Sequence, residues 1–215
     1  MKVGIIGSGI VGKVLAKAFT SEGHQVKLGT RDVSKEELVT YKEENPAITI
    51  GTFTETSQFG ELIVLATGGL VVEEAIKLAG IENFSGKVII DATNPIAAAP
   101  PVNGVLQFFT GPNESLMEKI QALLPAAKLV KAFSSVGNGL MYKPQLQGGI
   151  PTMFISGNDD EAKKVVTDIL TSFGWETEDM GRAEAARAIE PLCILWCIPG
   201  FIKNQWTHAF KLLKA

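Results

Sequence analysis

The sequence predicts an α/β protein built on a doubly wound, mostly parallel sheet, with a short helical appendage at its carboxyl end. Three observations carry this expectation. Short β-rich apolar runs alternate with helical patterns along most of the 215 residues. The runs are apolar almost throughout, as strands covered on both faces must be. A glycine-rich turn, Gly7-Ser8-Gly9-Ile10-Val11-Gly12, leaves the first strand and enters the first helix. Right-handed crossovers then wind helices onto both faces of the sheet and leave a ligand crevice beyond the carboxyl ends of its strands.

Each element follows from its own pattern. "KVGIIG" is a buried strand, and Val11, Val14, Leu15, Ala18 and Phe19 give the apolar stripe of a helix that Gly23 closes. "QVKLGT" is the second strand. Ser34 and Glu37 have the spacing of a capping box, which predicts a helix running to about Asn45, ahead of Pro46. "ITIGTF" and "LIVLAT" read as strands three and four, "VVEEAIKLA" as a helix, and "KVIIDAT" as strand five. A polar, proline-rich loop spans Asn94 to Pro112. "ESLMEKIQALL" turns Leu116, Ile120, Leu123 and Leu124 inward. "KLVKAF" and "TMFISG" are strands six and seven, and Asp159 or Asp160 caps a helix carrying Ala162, Val165, Val166, Ile169 and Phe173. "ETEDMG" is the last strand. Residues 1–181 are expected to form the domain that carries the glycine-rich turn, and 182–215 a helical segment that lines a pocket of that domain or a dimer interface.

Composition narrows the function classes. Apolar residues make up 46% and charged residues 20%, and the net charge of −3 supplies no basic field for nucleic acid or an anionic membrane. A chain of this length buries roughly 70% of its unfolded surface. The apolar run Pro191 to Ile202 falls short of the ~20 residues of a membrane-spanning helix. With no leader pattern ahead of the first strand, a cytoplasmic protein is expected. Cys193 and Cys197, four apart, share one helical face and read as buried small hydrophobes; their spacing is not that of a Cys-x-x-Cys redox pair. No cluster has metal-ligand spacing.

The crevice rule identifies the nucleotide site. Gly7 permits the tight turn, Gly9 lets the backbone approach a pyrophosphate, and Gly12 lets helix and strand pack closely. The helix N-terminus adds free N–H groups and about half a positive charge. At the end of strand two, where an acidic residue would hydrogen-bond the ribose of NAD, the chain has Thr30 and Arg31, with Lys35 nearby. A guanidinium meets a 2′-phosphate bidentately. Two charge-assisted hydrogen bonds at about 1.5–3 kcal/mol each would give on the order of hundredfold preference for NADP over NAD. Asp32 is one residue of register away. Ala66, Thr67 and Gly68 at the end of strand four pass over the cofactor with little bulk. Ala92, Asn94 and Pro95 follow strand five, with Asn94 placed to bond the nicotinamide ribose or carboxamide. Ser134 and Val136 follow strand six and flank the nicotinamide.

With these residues in place, the chain resembles the NADP oxidoreductase, coenzyme F-420-dependent family. "GIIGSGIVGKVLAKAF", "GHQVKLGTRD", "DATNPI", "VKAFSSVG" and "EAARAIEPL" carry the resemblance, in that order, over nearly the whole chain. The same module forms the cytosolic reductase part of the six-transmembrane metalloreductases. The resemblance implies a Rossmann domain, NADPH on the glycine loop, and a flavin-like acceptor (FMN, FAD or a deazaflavin) against the nicotinamide. It also implies 2′-phosphate contacts at Thr30, Arg31 and Lys35. The segment "ATGGL" after strand four lacks the proline found there in the deazaflavin reductases proper.

No catalytic side chain is expected. His24 lies in a loop away from the carboxyl ends, His208 lies in the tail as a surface or interface residue, and Lys131 lies within strand six. Carbonyl reduction calls for a positioned proton donor, whereas hydride transfer to a flavin-like ring mainly calls for parallel rings at ~3–3.5 Å. NADPH-dependent transfer to such an acceptor is therefore the first expectation. A dehydrogenase or imine reductase of a small metabolite, and a noncatalytic NADPH-binding sensor, are the alternatives. Leu192, Leu195, Trp196, Ile198 and Phe201 are expected either to wall the acceptor or to pack in a homodimer, and Pro199-Gly200 to end or kink their helix.

Overall fold

The computed structural model describes all 215 residues and contains one eight-stranded sheet in the order β3-β2-β1-β4-β5-β6-β7-β8. The strands are β1 Lys2–Ile6, β2 Gln25–Thr30, β3 Ile48–Thr52, β4 Leu62–Leu65, β5 Val88–Asp91, β6 Lys128–Lys131, β7 Thr152–Gly157 and β8 Glu176–Asp179. The first six run parallel; β7 is antiparallel to β6, and β8 parallel to β7. The doubly wound, mostly parallel sheet is thus as the alternation predicted. All six parallel strands end on one edge, and that edge carries the site.

Side-chain alternation along the strands divides the core between the two faces. Ile5 and Val64 join the cluster under α1 (Ile10–Ser21) and α6 (Asp160–Ser172), while Ile6 and Leu65 join the cluster under α4 (Val72–Ala79) and α5 (Leu116–Leu123). Each fully buried Leu, Ile or Phe contributes about 1.5–3 kcal/mol. Gly23 adopts φ 81° and lets the His24 amide donate back to the Phe19 carbonyl at 3.0 Å, closing α1 as its pattern indicates. Asp159 caps α6, its Oδ1 accepting from the Ala162 amide at 2.8 Å.

Several local expectations are corrected. The helix α2 (Glu36–Glu44) forms, but Ser34 does not cap it: its amide and hydroxyl both donate to the Asp32 carboxylate, at 2.9 and 2.6 Å. The capping box lies instead at Thr52 and Glu55 and opens α3 (Phe53–Phe59), a seven-residue helix too short to show an apolar stripe. In the carboxyl-terminal segment, α7 (Ala186–Ile189) and α8 (Leu192–Lys203) are helical, but residues 204–215 form neither helix nor strand. They are held by partners on the sheet: the Thr152 amide donates to the Phe210 carbonyl at 2.9 Å, and Lys211 and Lys214 pair with Glu176 and Glu178. Pro199 neither stops α8 nor removes its last turn; the helix ends at Asn204, which adopts the left-handed conformation. Together with the turns around them, α7 and α8 make a helical run from Ala183 to Lys203 that is long and apolar enough by composition to cross a membrane, which corrects the expectation drawn from the shorter run Pro191 to Ile202. A third of that run's most apolar stretch is buried against the rest of the protein.

Candidate active site at the carboxyl edge of the sheet

The chain leaves β1 through Gly7, whose φ of 124° and 2.5 Å clearance from the Ala66 carbonyl oxygen to a hypothetical Cβ both require glycine. A Cβ on Gly12 would collide with the Gly7 carbonyl oxygen, so the first turn of α1 lies directly on the glycine loop. Gly9, by contrast, faces open space. It is the N-cap of α1 and offers no side chain to its helix, so the first-turn N–H groups point outward without a capping acceptor. Glycine at this spot leaves the room and the donors that a pyrophosphate needs.

A cleft of about 210 Å³ opens beside this turn, lined by Gly7, Ser8, Gly9, Thr30, Arg31, Lys35, Ala66, Thr67 and Gly68. All nine were expected from the sequence. Arg31 and Lys35 are exposed, and neither takes part in an ion pair. Asp32, the residue one register step away, does not line the cleft. Its carboxylate is engaged by Ser34, whose two hydrogen bonds hold its pKa below the usual value. Thr30 is buried and bonds Asp32 through its hydroxyl, at 3.2 Å to the carbonyl oxygen and 3.3 Å from the amide. Phe53, Val71, Glu74 and Ala75 also line the cleft and were not expected. Phe53 follows β3 directly, so the rule that pointed to the ends of β2, β4, β5 and β6 would have found it too. Val71, Glu74 and Ala75 come from the start of α4, and no sequence signal separates them from an ordinary amphipathic helix.

The remaining expected residues stand farther along the same edge. Ile10 and Val11 form the outer turn of α1, with Ile10 65% exposed. Ala92, Asn94 and Pro95 follow β5, and Ser134 and Val136 follow β6. Asn94 donates through Nδ2 to the Ser134 carbonyl at 2.9 Å, tying the two strand ends together. A Cβ on Gly69 would strike the Asn94 carbonyl oxygen, so the loop after β4 packs on the same turn. Phe133, buried and held at φ 62°, is a strained residue that swings the chain from β6 into Ser134.

Thr67 Oγ1, Asn94 Oδ1 and Ser134 Oγ are buried, yet none has a hydrogen-bond partner in the protein. Buried polar atoms in folded proteins are nearly always paired. Three of the four such atoms in the protein stand on three successive strand ends and fit a polar ligand lying across β4, β5 and β6; the fourth, Thr177 Oγ1, lies on β8, away from the site. Together with the open glycine cradle and the two free cations, these strand-end residues would hold NADPH with its 2′-phosphate at β2, its pyrophosphate at α1 and its nicotinamide half at β5 and β6. When bound, NADPH supplies a hydride; the chain's own groups bind, orient and shield it.

Other candidate groups are accounted for. Lys131 ends β6 rather than lying inside it, but it is fully buried and holds Asp91, Glu190 and the Thr93 carbonyl. His24 lies 3.4 Å from the N-terminal amine, and burial pushes its pKa down. His208 is not a free surface group: it stacks on Trp196 at 4.9 Å and bonds the Trp196 carbonyl at 2.9 Å. Cys193 and Cys197 are free thiols, and their mutual hydrogen bond together with burial pushes the Cys193 pKa up. No group of His, Cys, Asp and Glu could hold a metal ion.

Comparisons with known proteins agree with this geometry. Residues 2–95 match the family described as NADP oxidoreductase, coenzyme F-420-dependent. The structure of a protein assigned as an F-420-dependent NADP reductase from Arthrobacter sp. FB24 superposes with a TM-score of 0.94 at 31% identity, covering 100% of both chains. The F-420-dependent NADP reductase of Methanocaldococcus jannaschii is 27% identical over 89% of each chain. Metalloreductase STEAP3 of Rattus norvegicus is 29% identical over 92% of this chain, which spans only 38% of that protein. A reductive aminase from Aspergillus terreus in complex with NADPH shares the fold alone, with a TM-score of 0.65 at 18% identity. The chain belongs to the coenzyme F-420-dependent NADP oxidoreductase family and is an NADP-dependent oxidoreductase.

Proposed function

We propose that the protein transfers a hydride between NADPH and a flat, flavin-like acceptor, with the deazaflavin of coenzyme F-420 as the first candidate and FMN or FAD next. The observation that carries this reading is the row of unpartnered buried oxygens on Thr67, Asn94 and Ser134, in line with the free cations Arg31 and Lys35. The row supports one orientation of the dinucleotide, with its nicotinamide half over β5 and β6. The carboxyl edge brings no free ammonium or imidazole to the nicotinamide end, since Lys131 has all three of its protons engaged and both histidines are held elsewhere. Ring-to-ring hydride transfer needs orientation and exclusion of water more than acid catalysis. Imine reduction, the alternative, calls for a stronger positioned acid than the Thr67 and Ser134 hydroxyls found there.

The carboxyl-terminal segment supports an acceptor wall. A Cβ on Gly137 would strike the Trp196 ring, so the loop after β6 lies against α8, and Trp206 and Phe201 extend the aromatic surface. Leu195, Phe201 and Ile202 are exposed, and we assign to them contact with a second copy of the chain, which light scattering checks.

Calorimetry tests the dinucleotide assignment. Arg31→Ala should weaken NADPH about tenfold or more and leave NADH nearly unchanged; equal losses for the two would refute the 2′-phosphate grip. Stopped-flow oxidation of bound NADPH by F-420, FMN or FAD, compared with a cyclic imine, tests the acceptor. Turnover with the imine alone would overturn it.

A further inference from the structure

The most heavily buried charges in the protein gather at the carboxyl ends of β5 and β6, just before the turns that carry Asn94 and Ser134, and the binding site just described makes no direct use of them. Asp91 ends β5 and Lys131 ends β6, paired in register; both are fully buried, and Glu190, 1% exposed, reaches them from the residue after α7. Lys131 Nζ lies 3.0 Å from Asp91 Oδ2, 2.9 Å from Glu190 Oε1 and 2.5 Å from the Thr93 carbonyl oxygen. Asp91 Oδ1 accepts from the Thr93 amide at 2.9 Å and from the Thr93 hydroxyl at 2.6 Å. Glu190 accepts from the Leu116 and Met117 amides at the N-terminus of α5, both at 3.0 Å.

Every polar atom of Thr93 is therefore held by this cluster, and the next residue is Asn94. A buried ion pair is a poor source of stability, because desolvation offsets most of its attraction. Well-packed apolar side chains would hold these strands as firmly. What the charges add is direction: three oxygens around one ammonium fix the Thr93 backbone, and with it the orphan oxygen of Asn94 and, through the bond to the Ser134 carbonyl, the turn after β6.

We propose that Lys131, Asp91 and Glu190 form a positioning clamp for the nicotinamide half of the site, acting through Thr93 on Asn94. None of the three touches the cofactor. Glu190 also makes the clamp depend on the carboxyl-terminal segment, so the wall that faces the acceptor and the turn that faces the nicotinamide share one set of charges. The proposal rests on NADPH occupying the cleft.

The test compares NADPH with adenosine 2′,5′-bisphosphate, which carries the 2′-phosphate but no nicotinamide, by calorimetry on the full chain. Lys131→Met should weaken NADPH about tenfold, and the gentler Glu190→Gln about threefold, while the bisphosphate stays within about twofold for both. Asn94→Ala should weaken NADPH by itself, and adding Lys131→Met to it should cost less than about twofold more, because the two act in series. Thermal melts show which variants fold; if Lys131→Met does not, Glu190→Gln alone and with Asn94→Ala decides. Equal weakening of both ligands would make the cluster a structural tie only. Unchanged NADPH affinity in folded variants, or additive losses with Asn94→Ala, would overturn the clamp. A wild-type chain that binds the bisphosphate but gains nothing from the nicotinamide half would overturn the clamp and leave the 2′-phosphate grip standing. One that binds neither removes the NADPH reading itself.

Discussion

At the scale of single residues, the two glycines nearest α1 do opposite things, and a methyl group separates them. Gly12 has no room for a Cβ because the Gly7 carbonyl oxygen stands in its place, so Gly12→Ala should destabilise the fold by at least about 1–3 kcal/mol. Gly9 has nothing near its hypothetical Cβ, so Gly9→Ala should leave the melting temperature almost unmoved while weakening NADPH about tenfold, the methyl taking pyrophosphate space. Melting curves beside calorimetric titrations separate the two; a Gly9→Ala protein that melts low and binds normally would mean the loop serves packing alone. The glycine pattern and the Thr30-Arg31 pair were legible because their chemistry is local. The orphaned oxygens were legible only as positions, since nothing in a string of letters says whether Ser134 Oγ finds a partner. The burial of Lys131 was hidden for a related reason. All three of its acceptors come from distant chain segments, Thr93 and Asp91 lying 38 and 40 residues back and Glu190 far ahead.

At the scale of elements, long and strongly patterned segments were read correctly, and short or competing ones were not. Along α6 the apolar stripe and the aspartate at its head agree, and the structure has both. Ser34 and Glu37 offered a capping box, but Asp32 lies two residues before Ser34 and takes its donors into a tighter turn. The box at Thr52 and Glu55 is not legible in the sequence because α3, packed tightly against β1 and β2, is too brief to repeat a pattern. Both halves of that box are formed: the Glu55 amide donates to Thr52 Oγ1 at 3.2 Å, and Glu55 Oε2 accepts from the Thr52 amide at 2.7 Å. Thr52→Ala should therefore cost about 0.5–2 kcal/mol, seen as a lower urea midpoint with unchanged slope. Thr52→Ser, which keeps the acceptor, should retain most of that stability. Equal stability of Thr52→Ala and wild type would show that packing alone holds α3. The irregular tail of residues 204–215 was not legible because "HAFKLLKA" has helical composition, whereas the backbone partner it finds at Thr152 belongs to β7, far back in the chain.

At the scale of the whole molecule, the parallel half of the sheet holds the dinucleotide, and the later elements are tied to it and to each other by ion pairs near the surface. Glu22 at the end of α1 meets Lys143 and Tyr142, Glu118 of α5 meets Arg187 of α7, and Glu176 of β8 meets Lys211 of the tail. Each carboxylate is held below its ordinary pKa of 4.5, chiefly by the hydrogen bond from its cationic partner. Below 4.5 the unfolded chain takes up protons that these folded groups refuse, so their contribution is complete above that pH and drains away as pH falls through the lowered folded values. His24 acts at a higher pH with the same sign. Burial depresses its pKa from 6.5, so below 6.5 the unfolded chain again binds the extra proton. The urea midpoint should thus be level above pH 6.5, decline gently below it, and fall more steeply below 4.5. His24→Gln should abolish the gentle decline, and Glu118→Gln should lower the plateau slightly and flatten the acid limb. Raised salt should shrink the acid limb more than the histidine step, since it screens exposed pairs and leaves desolvation untouched. A midpoint constant down to pH 3 would mean that these ties contribute nothing, and that the apolar contacts of α6, α7 and α8 alone hold the carboxyl-terminal half to the nucleotide-binding half.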